Sequence, residues 1–173
     1  MLTKAQKARC LCSQKNIIAM LRLATINDAE AIRLLLSAAK EQIPLTSSFD
    51  EPKYIDSYLS ELRKECKNDQ WIVIEKNETI VAAMSLETSK WFDADYLIKY
   101  IVVSQSCRGK GLAFQLINYA KEQHPALWTQ ISPGNTSAFK LFGKAGFVKT
   151  DNPNCSENFL DYYWKSLLLE KQL

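Results

Sequence analysis

A chain of 173 residues has the length of one domain with a single hydrophobic core. Hydrophobic residues make up 47% and charged residues 24%, and this composition excludes collagen-like, low-complexity and disordered classes. The net charge is +3, but the first 26 residues carry +5 while the remainder holds 17 basic and 19 acidic residues. Because these basic residues form a leader and not a folded face, they are poor evidence for nucleic-acid binding. We expect residues 1–19 to be a basic extension and residues 20–173 a single domain.

The five cysteines form no CxxC pair, and His124 is the only histidine. Neither a zinc site nor a disulfide framework is therefore predicted, and we expect reduced thiols and no metal. No apolar run has the length of a secretory signal or a membrane span, so we expect a cytoplasmic protein with no membrane partner. We expect His124 to lie at the surface beside a helix C-terminus, and Cys107 to be incidentally exposed.

The first half of the chain predicts a strand, two helices and a hairpin. Alternation begins the strand at Met20, and apolar residues at helical spacing predict helices over about 28–41 and 52–66. Two runs rich in apolar and β-branched residues, 71–74 and 79–86, flank a turn and predict a β-hairpin.

The second half alternates strands and helices. We predict a strand over 96–103, a helix over 111–123, a strand over 127–131 and a helix from about 135 to 146. A last strand over 159–167 is expected to close the sheet.

The loop at residues 108–113 reads RGKGLA and lies where a strand gives way to a helix. Unpaired amides at a helix start favour anions, and Gly109 and Gly111 would let a phosphate group approach the backbone. Neither the Walker pattern nor the GxGxxG dinucleotide pattern is present. On these residues alone, a tight basic turn without a ligand is an equally good interpretation.

Residues around the loop make its interpretation more specific. Arg108, Gly111 and Ala113 give R-x-x-G-x-A after the strand, and N-x-x-A-x-x-L-F-x-x-x-G-F runs from Asn135 to Phe147. This combination resembles the GNAT superfamily of acyl-CoA-dependent N-acetyltransferases. The resemblance implies an α+β fold with a mixed central sheet of about six or seven strands, about four flanking helices, and a splay between the fourth and fifth strands.

The resemblance also implies a cofactor, acetyl-CoA, and the residues that bind it. The loop amides would hold the pyrophosphate, the preceding strand would pair with the pantetheine arm, and the next helix would add contacts. The implied cofactor-binding residues are Ile101, Val102, Val103, Arg108, Gly109, Lys110, Gly111, Leu112, Ala113, Asn135 and Phe142.

The chain departs from the family pattern at two catalytic positions. Phe142 stands where many relatives have a tyrosine that protonates the departing thiolate, and either Tyr162 or Tyr163 is a possible substitute. The strand before the loop carries no carboxylate, so the candidate bases are nearby acids. These candidates are Glu87, Asp93 and Asp95, each of which is also readily interpreted as a solvated loop carboxylate.

The resemblance implies an enzyme that moves an acetyl group from acetyl-CoA directly to a primary amine of a small molecule, peptide or protein. The alternative is a catalytically weak acyl-CoA-binding sensor or regulatory module. Nucleic-acid binding through the basic extension is a third hypothesis and is not favoured. We expect a monomer or a homodimer.

Overall fold

The structure of the protein is a computed structural model that describes residues 19–39, 70–88, 96–150 and 159–166. The predicted helix at 52–66 and the base candidates Asp93 and Asp95 lie outside these residues. The described residues form seven strands, which are β1 (Ala19–Leu23), β2 (Gln70–Lys76), β3 (Thr79–Thr88), β4 (Tyr96–Val103), β5 (Ala126–Ile131), β6 (Val148–Thr150) and β7 (Leu160–Lys165). The α-helices of the described residues are α1 (Ala29–Ala38), α2 (Leu112–Gln123) and α3 (Thr136–Lys144).

The strands form one mixed sheet in the order β1-β2-β3-β4-β5-β7-β6. The first four strands pair antiparallel, as do β5 with β7 and β7 with β6, whereas β4 and β5 are parallel. The parallel register runs only from Tyr96↔Leu127 to Ile98↔Thr129, although β4 is eight residues long. The predicted α+β fold, with its sheet opened between the fourth and fifth strands, is confirmed.

The C-terminal part of the sheet differs from the prediction in one respect. The strand predicted over 159–167 is β7, but it lies inside the sheet between β5 and β6 and does not close it. The edge is formed by β6, which the sequence analysis did not predict. This strand has three residues, and its Val148 is 64% exposed, so no run of buried residues marks it.

The core has one layer on each face of the sheet. Helices α2 and α3 cover one face, where Leu116, Ile117 and Phe142 pack against strand residues such as Ile98. Helix α1 covers the other face through Ile32 and Leu36, among others. These two faces are called the α2 face and the α1 face below.

A β-bulge in β4 changes which side chains face each layer. Ser85 pairs with Tyr100 and its neighbour Leu86 pairs with Ile98, so Lys99 is an extra residue in β4. Ile98 accordingly packs on the α2 face, while Tyr100 packs on the α1 face. Without the bulge, alternation would place residues 98 and 100 on the same face.

A partly buried ion pair fixes the start of α1 against the sheet. Arg22 of β1 donates to both carboxylate oxygens of Asp28, at 2.7 and 2.9 Å, and also to Glu75 of β2 at 2.7 Å. Asp28 also accepts from the Thr25 amide at 2.7 Å. The hydrogen bonds from Arg22 lower the pKa of Asp28 to about 2, because they stabilise its ionised form.

Candidate cofactor and acceptor site

Among the described residues, no strand lies beside β4 beyond Ile98 on the side that opens toward β5. Ser104 donates its amide to the Val81 carbonyl of β3 at 2.8 Å. In an antiparallel ladder, the main-chain N–H and C=O groups of successive residues point alternately to the two sides of the strand. The main-chain groups of Val102 therefore point toward β3, as the Ser104 amide does, and those of Ile101 and Val103 point into the opening. Two of the predicted pantetheine-binding residues therefore present donors and acceptors toward the slot between β4 and β5.

A side chain closes the inner end of this slot. The Thr129 hydroxyl of β5 is buried and donates to the Ile98 carbonyl of β4 at 2.9 Å. Ile98 and Thr129 form the last parallel pair, so the two strands separate immediately beyond this bond. The slot therefore has a closed end at Ile98 and an open end at Val103.

The predicted phosphate loop lies at the open end of the slot. Gly109 and Gly111 have φ values of +73° and +77°, and a Cβ atom at either position would meet nothing within 4 Å. This backbone conformation is readily adopted only by glycine, and the space outside the loop is open.

Gly111 is also the N-cap residue of α2 and has no side chain to cap the helix. The first intrahelical bond is the one from the Gln115 amide to the Gly111 carbonyl, at 3.0 Å. The preceding amides of the first turn, at Leu112 and Ala113, have no acceptor within the helix. Their N–H groups and the helix dipole form a suitable site for an anion.

Two exposed basic side chains of the loop make local hydrogen bonds. Arg108 donates from Nε to the Val103 carbonyl at 3.1 Å, and Lys110 donates from Nζ to the Ser106 carbonyl at 2.8 Å. Arg108 therefore contacts one of the main-chain acceptors that faces the slot. A bound pantetheine arm would compete with Arg108 for that carbonyl.

The two residues of the α3 region that were predicted to contact the cofactor, Asn135 and Phe142, differ in whether a ligand can reach them. Asn135 is the N-cap of α3, and its Oδ1 accepts from the Ala138 amide at 3.0 Å, so only its amide nitrogen remains as a donor for a ligand. Phe142 is 3% exposed and packs edge-to-face on Phe147, with ring centroids 5.1 Å apart. Phe142 thus belongs to the core in this structure.

Glu87 is the one candidate base that lies among the described residues. The expectation of a solvated loop carboxylate is wrong for this residue, because Glu87 lies within β3 and its side chain is only 20% exposed. Its carboxylate forms an ion pair with Lys99, the bulge residue, at 2.9 Å. The structure therefore places a paired carboxylate and ammonium beside the bulge.

The exposure expected for two single residues is wrong, although His124 does lie beside a helix C-terminus, as the C-cap residue of α2. Cys107 is only 8% exposed and packs in the core of the α2 face, because the single-turn helix Gln105–Cys107 directs it inward. His124 is half-buried, its ring centroid lies 3.9 Å from that of Tyr96, and its Nε2 is buried without a hydrogen-bond partner. Burial lowers the pKa of His124, since the charged ring would lose hydration.

Two functional candidates that no sequence motif indicated, Gln130 and Asp161, lie on β5 and β7. Asp161 of β7 is 2% exposed and its Oδ1 accepts from Gln130 Nε2 at 3.1 Å. The available signal was a single carboxylate within the strand sequence LDYYWK, since an acid inside an aromatic strand requires an explanation.

The described residues contain no group of three or more His, Cys, Asp or Glu side chains that could hold a metal ion. Within these same ranges, no helix is long and apolar enough to cross a membrane.

The sequence matches the family model described as Acetyltransferase (GNAT) family over residues 30–147. This match spans more than half of the chain, and the protein belongs to that family. A search of curated proteins finds no match.

Solved structures of similar fold include several acetyltransferases. The PaiA N-acetyltransferase of Thermoplasma acidophilum, in complex with coenzyme A, is 15% identical with a TM-score of 0.62, over 86% of this chain and 99% of that one. YncA of Salmonella typhimurium, described as a putative acetyltransferase with acetyl-CoA, is 19% identical with a TM-score of 0.66, over 86% and 94%. An N-acetyltransferase of Staphylococcus aureus Mu50 is 23% identical with a TM-score of 0.63, over 86% and 98%. At these identities the likeness establishes the fold.

Proposed function

We propose that the protein transfers an acetyl group from acetyl-CoA directly to a primary amine. The observation that carries the proposal is the slot between β4 and β5 that leads from an anion-binding helix start. Acetyl-CoA has a matching shape, with a diphosphate at one end of an extended arm and a thioester at the other. The neighbours crystallised with coenzyme A or acetyl-CoA support this cofactor.

The cofactor would lie along β4. Amides of Leu112 and Ala113 bind the diphosphate, and the main-chain groups of Ile101 and Val103 pair with the pantetheine amides as a neighbouring strand would. The acyl group then lies in the slot, on the open side of the Thr129–Ile98 hydrogen bond.

The chemical step joins the amine nitrogen to the thioester carbon and breaks the carbon–sulfur bond. The amine must first lose a proton, since a primary amine of pKa about 10.4 is mostly charged at neutral pH. Alignment of the two reactants supplies the main catalytic effect, about 7–11 kcal/mol in well-oriented systems. The products are an N-substituted acetamide and the free thiol of coenzyme A.

Protonation of the leaving thiolate does not require a protein acid. Phe142 has no hydroxyl, but a thiol with a pKa of about 8.5 is a fair leaving group at neutral pH. General acid catalysis typically contributes about 10²–10⁴-fold, so its absence slows the reaction without abolishing it. Glu87 remains a candidate base, although it must exchange its contact with Lys99 for a contact with the amine or a bridging water.

Two specific observations favour the alternative function, a weakly catalytic acyl-CoA sensor. These are the absent hydroxyl at Phe142 and the ion pair that occupies Glu87. One experiment separates the two functions: calorimetric titration with coenzyme A, followed by release of free thiol from acetyl-CoA in the presence of an amine panel. Tight binding with amine-dependent release supports the transferase. Tight binding with no acceleration by any amine supports the sensor, and no binding contradicts both.

A further inference from the structure

Asp161 of β7 is a buried carboxylate whose hydrogen bonding is incomplete. It is 2% exposed, and its Oδ1 accepts from the Gln130 side chain at 3.1 Å. Its Oδ2 is also buried and has no hydrogen-bond partner. Buried carboxylates are normally paired with donors or cations, because removing their charge from water is costly. The vacant oxygen therefore marks a position that a donor would fill.

The carboxylate lies on the face of the sheet opposite to α2. Tyr162 and Trp164, its neighbours along β7, pack against the core of the α2 face. Side chains alternate along a strand, so Asp161 points to the α1 face. The cofactor's diphosphate would be bound at the start of α2, so Asp161 faces the opposite side of the sheet, where binding of a second reactant would require the groups that cover Oδ2 to move.

Asp161 is also close to the closed end of the slot. Gln130, its direct partner on β5, immediately follows Thr129, the last residue of β5 that pairs with β4. The carboxylate thus lies on β7, which β5 separates from the slot, at the level where β4 and β5 separate. One to two strand spacings, about 5–10 Å, separate it from a group held in the slot.

Asp161 has no basic side chain as a partner among the described residues. Lys99, the bulge residue near the same end of the slot, forms an ion pair with Glu87. Among the residues that the structure describes, no Lys, Arg or His forms an ion pair with Asp161. A cationic group brought by the acceptor would donate the hydrogen bond that Oδ2 lacks.

We propose that Asp161, held by Gln130, binds the second cationic group of a dibasic amine while the other amine of that molecule attacks the thioester. This inference rests on the proposed transferase function and adds the class of acceptor. The separation of about 5–10 Å fits an alkyl chain of four or five carbons between the two nitrogens.

The test compares 1,5-diaminopentane with 5-amino-1-pentanol, which has the same chain with a hydroxyl in place of one ammonium. We expect the wild-type kcat/KM to favour the diamine by about 10- to 100-fold, the range for a hydrogen bond to a charged group. Asp161→Asn should remove most of this preference, chiefly through the KM of the diamine. Glu122→Gln, which removes an exposed carboxylate of α2, is the matched control and should keep the preference.

A second variant keeps the proposal testable if Asp161→Asn fails to fold. Gln130 is exposed, so Gln130→Lys should be tolerated and its ammonium should pair with Asp161. We expect Gln130→Lys to lose the diamine preference. Gln130→Met, which adds no charge, should retain more of the preference than Gln130→Lys does.

The inference is overturned if Asp161→Asn or Gln130→Lys keeps the diamine preference. It is also overturned if the wild-type protein acetylates the diamine and the amino alcohol equally well, or acetylates neither. Binding of coenzyme A, measured separately by calorimetry, is expected in all variants. Its absence from the wild type would instead overturn the proposed function.

Discussion

A negative charge at the start of α2 should weaken cofactor binding without weakening the fold. Ala113 is the second residue of α2 and lies in the first turn, whose amides we assign to the diphosphate. Ala113→Asp would place a carboxylate about 5 Å from a phosphate charge. At an effective dielectric constant of about 20, two like charges at this separation repel by about 3 kcal/mol, or about 100-fold in Kd.

The same carboxylate should have the opposite effect on folding. A negative charge near a helix N-terminus stabilises the helix by about 0.3–1 kcal/mol. The control is Ala113→Asn, which has nearly the same shape and no charge. A substitution at Gly111 would be a poorer test, because its φ of +77° would add backbone strain to any effect on binding.

The assay is calorimetric titration of both variants with coenzyme A at low salt, together with thermal unfolding of the free proteins. We expect Ala113→Asp to bind about 100-fold more weakly than Ala113→Asn, with an equal or higher Tm. The difference should shrink as salt is raised, because ions screen the repulsion. Equal affinities for the two variants at low salt would refute the placement of the diphosphate.

Three other perturbations test separate parts of the structure. Phe142→Tyr buries a hydroxyl, so we expect a lower Tm of the free protein. We expect its kcat to be unchanged or raised, and a large loss of kcat would contradict this expectation. Thr129→Val removes the donor to the Ile98 carbonyl and should cost about 1–3 kcal/mol in the free energy of unfolding, measured with denaturant; an unchanged value would contradict the bond. The pKa of Asp28 is about 2 in the folded protein, below its ordinary value of 3.8. The ionised carboxylate therefore stabilises the folded state by about 2 kcal/mol. This stabilisation is present above about pH 4 and is lost as the pH falls toward 2. Asp28→Asn should flatten the stability curve over that pH range, and an unchanged curve would exclude this carboxylate as the cause.

Features set by local sequence were predictable. The strand predicted over 96–103 matches β4, because a run of apolar and aromatic residues there has few alternatives. The two glycines at 109 and 111 predicted the loop conformation, and both have positive φ. Asn135 begins α3 as the capping preference of asparagine predicts.

Features that depend on distant parts of the chain were not predictable. The bulge at Lys99 is defined only by the pairing of β4 with β3, and it sets which side chains face α1. The burial of Cys107 and His124 depends on packing against other elements, which no local pattern indicates. The contact of Asp161 with Gln130 joins residues 31 positions apart in the chain.

The most direct test of the account follows the backbone amides of the free protein by NMR while coenzyme A is added. We predict the largest chemical-shift changes at the amides of the loop and the first turn of α2, residues 109–113, with further changes at Ile101 and Val103. Saturating binding with changes confined to other parts of the sheet, or no change at all, would contradict the assignment of this loop and slot to the cofactor.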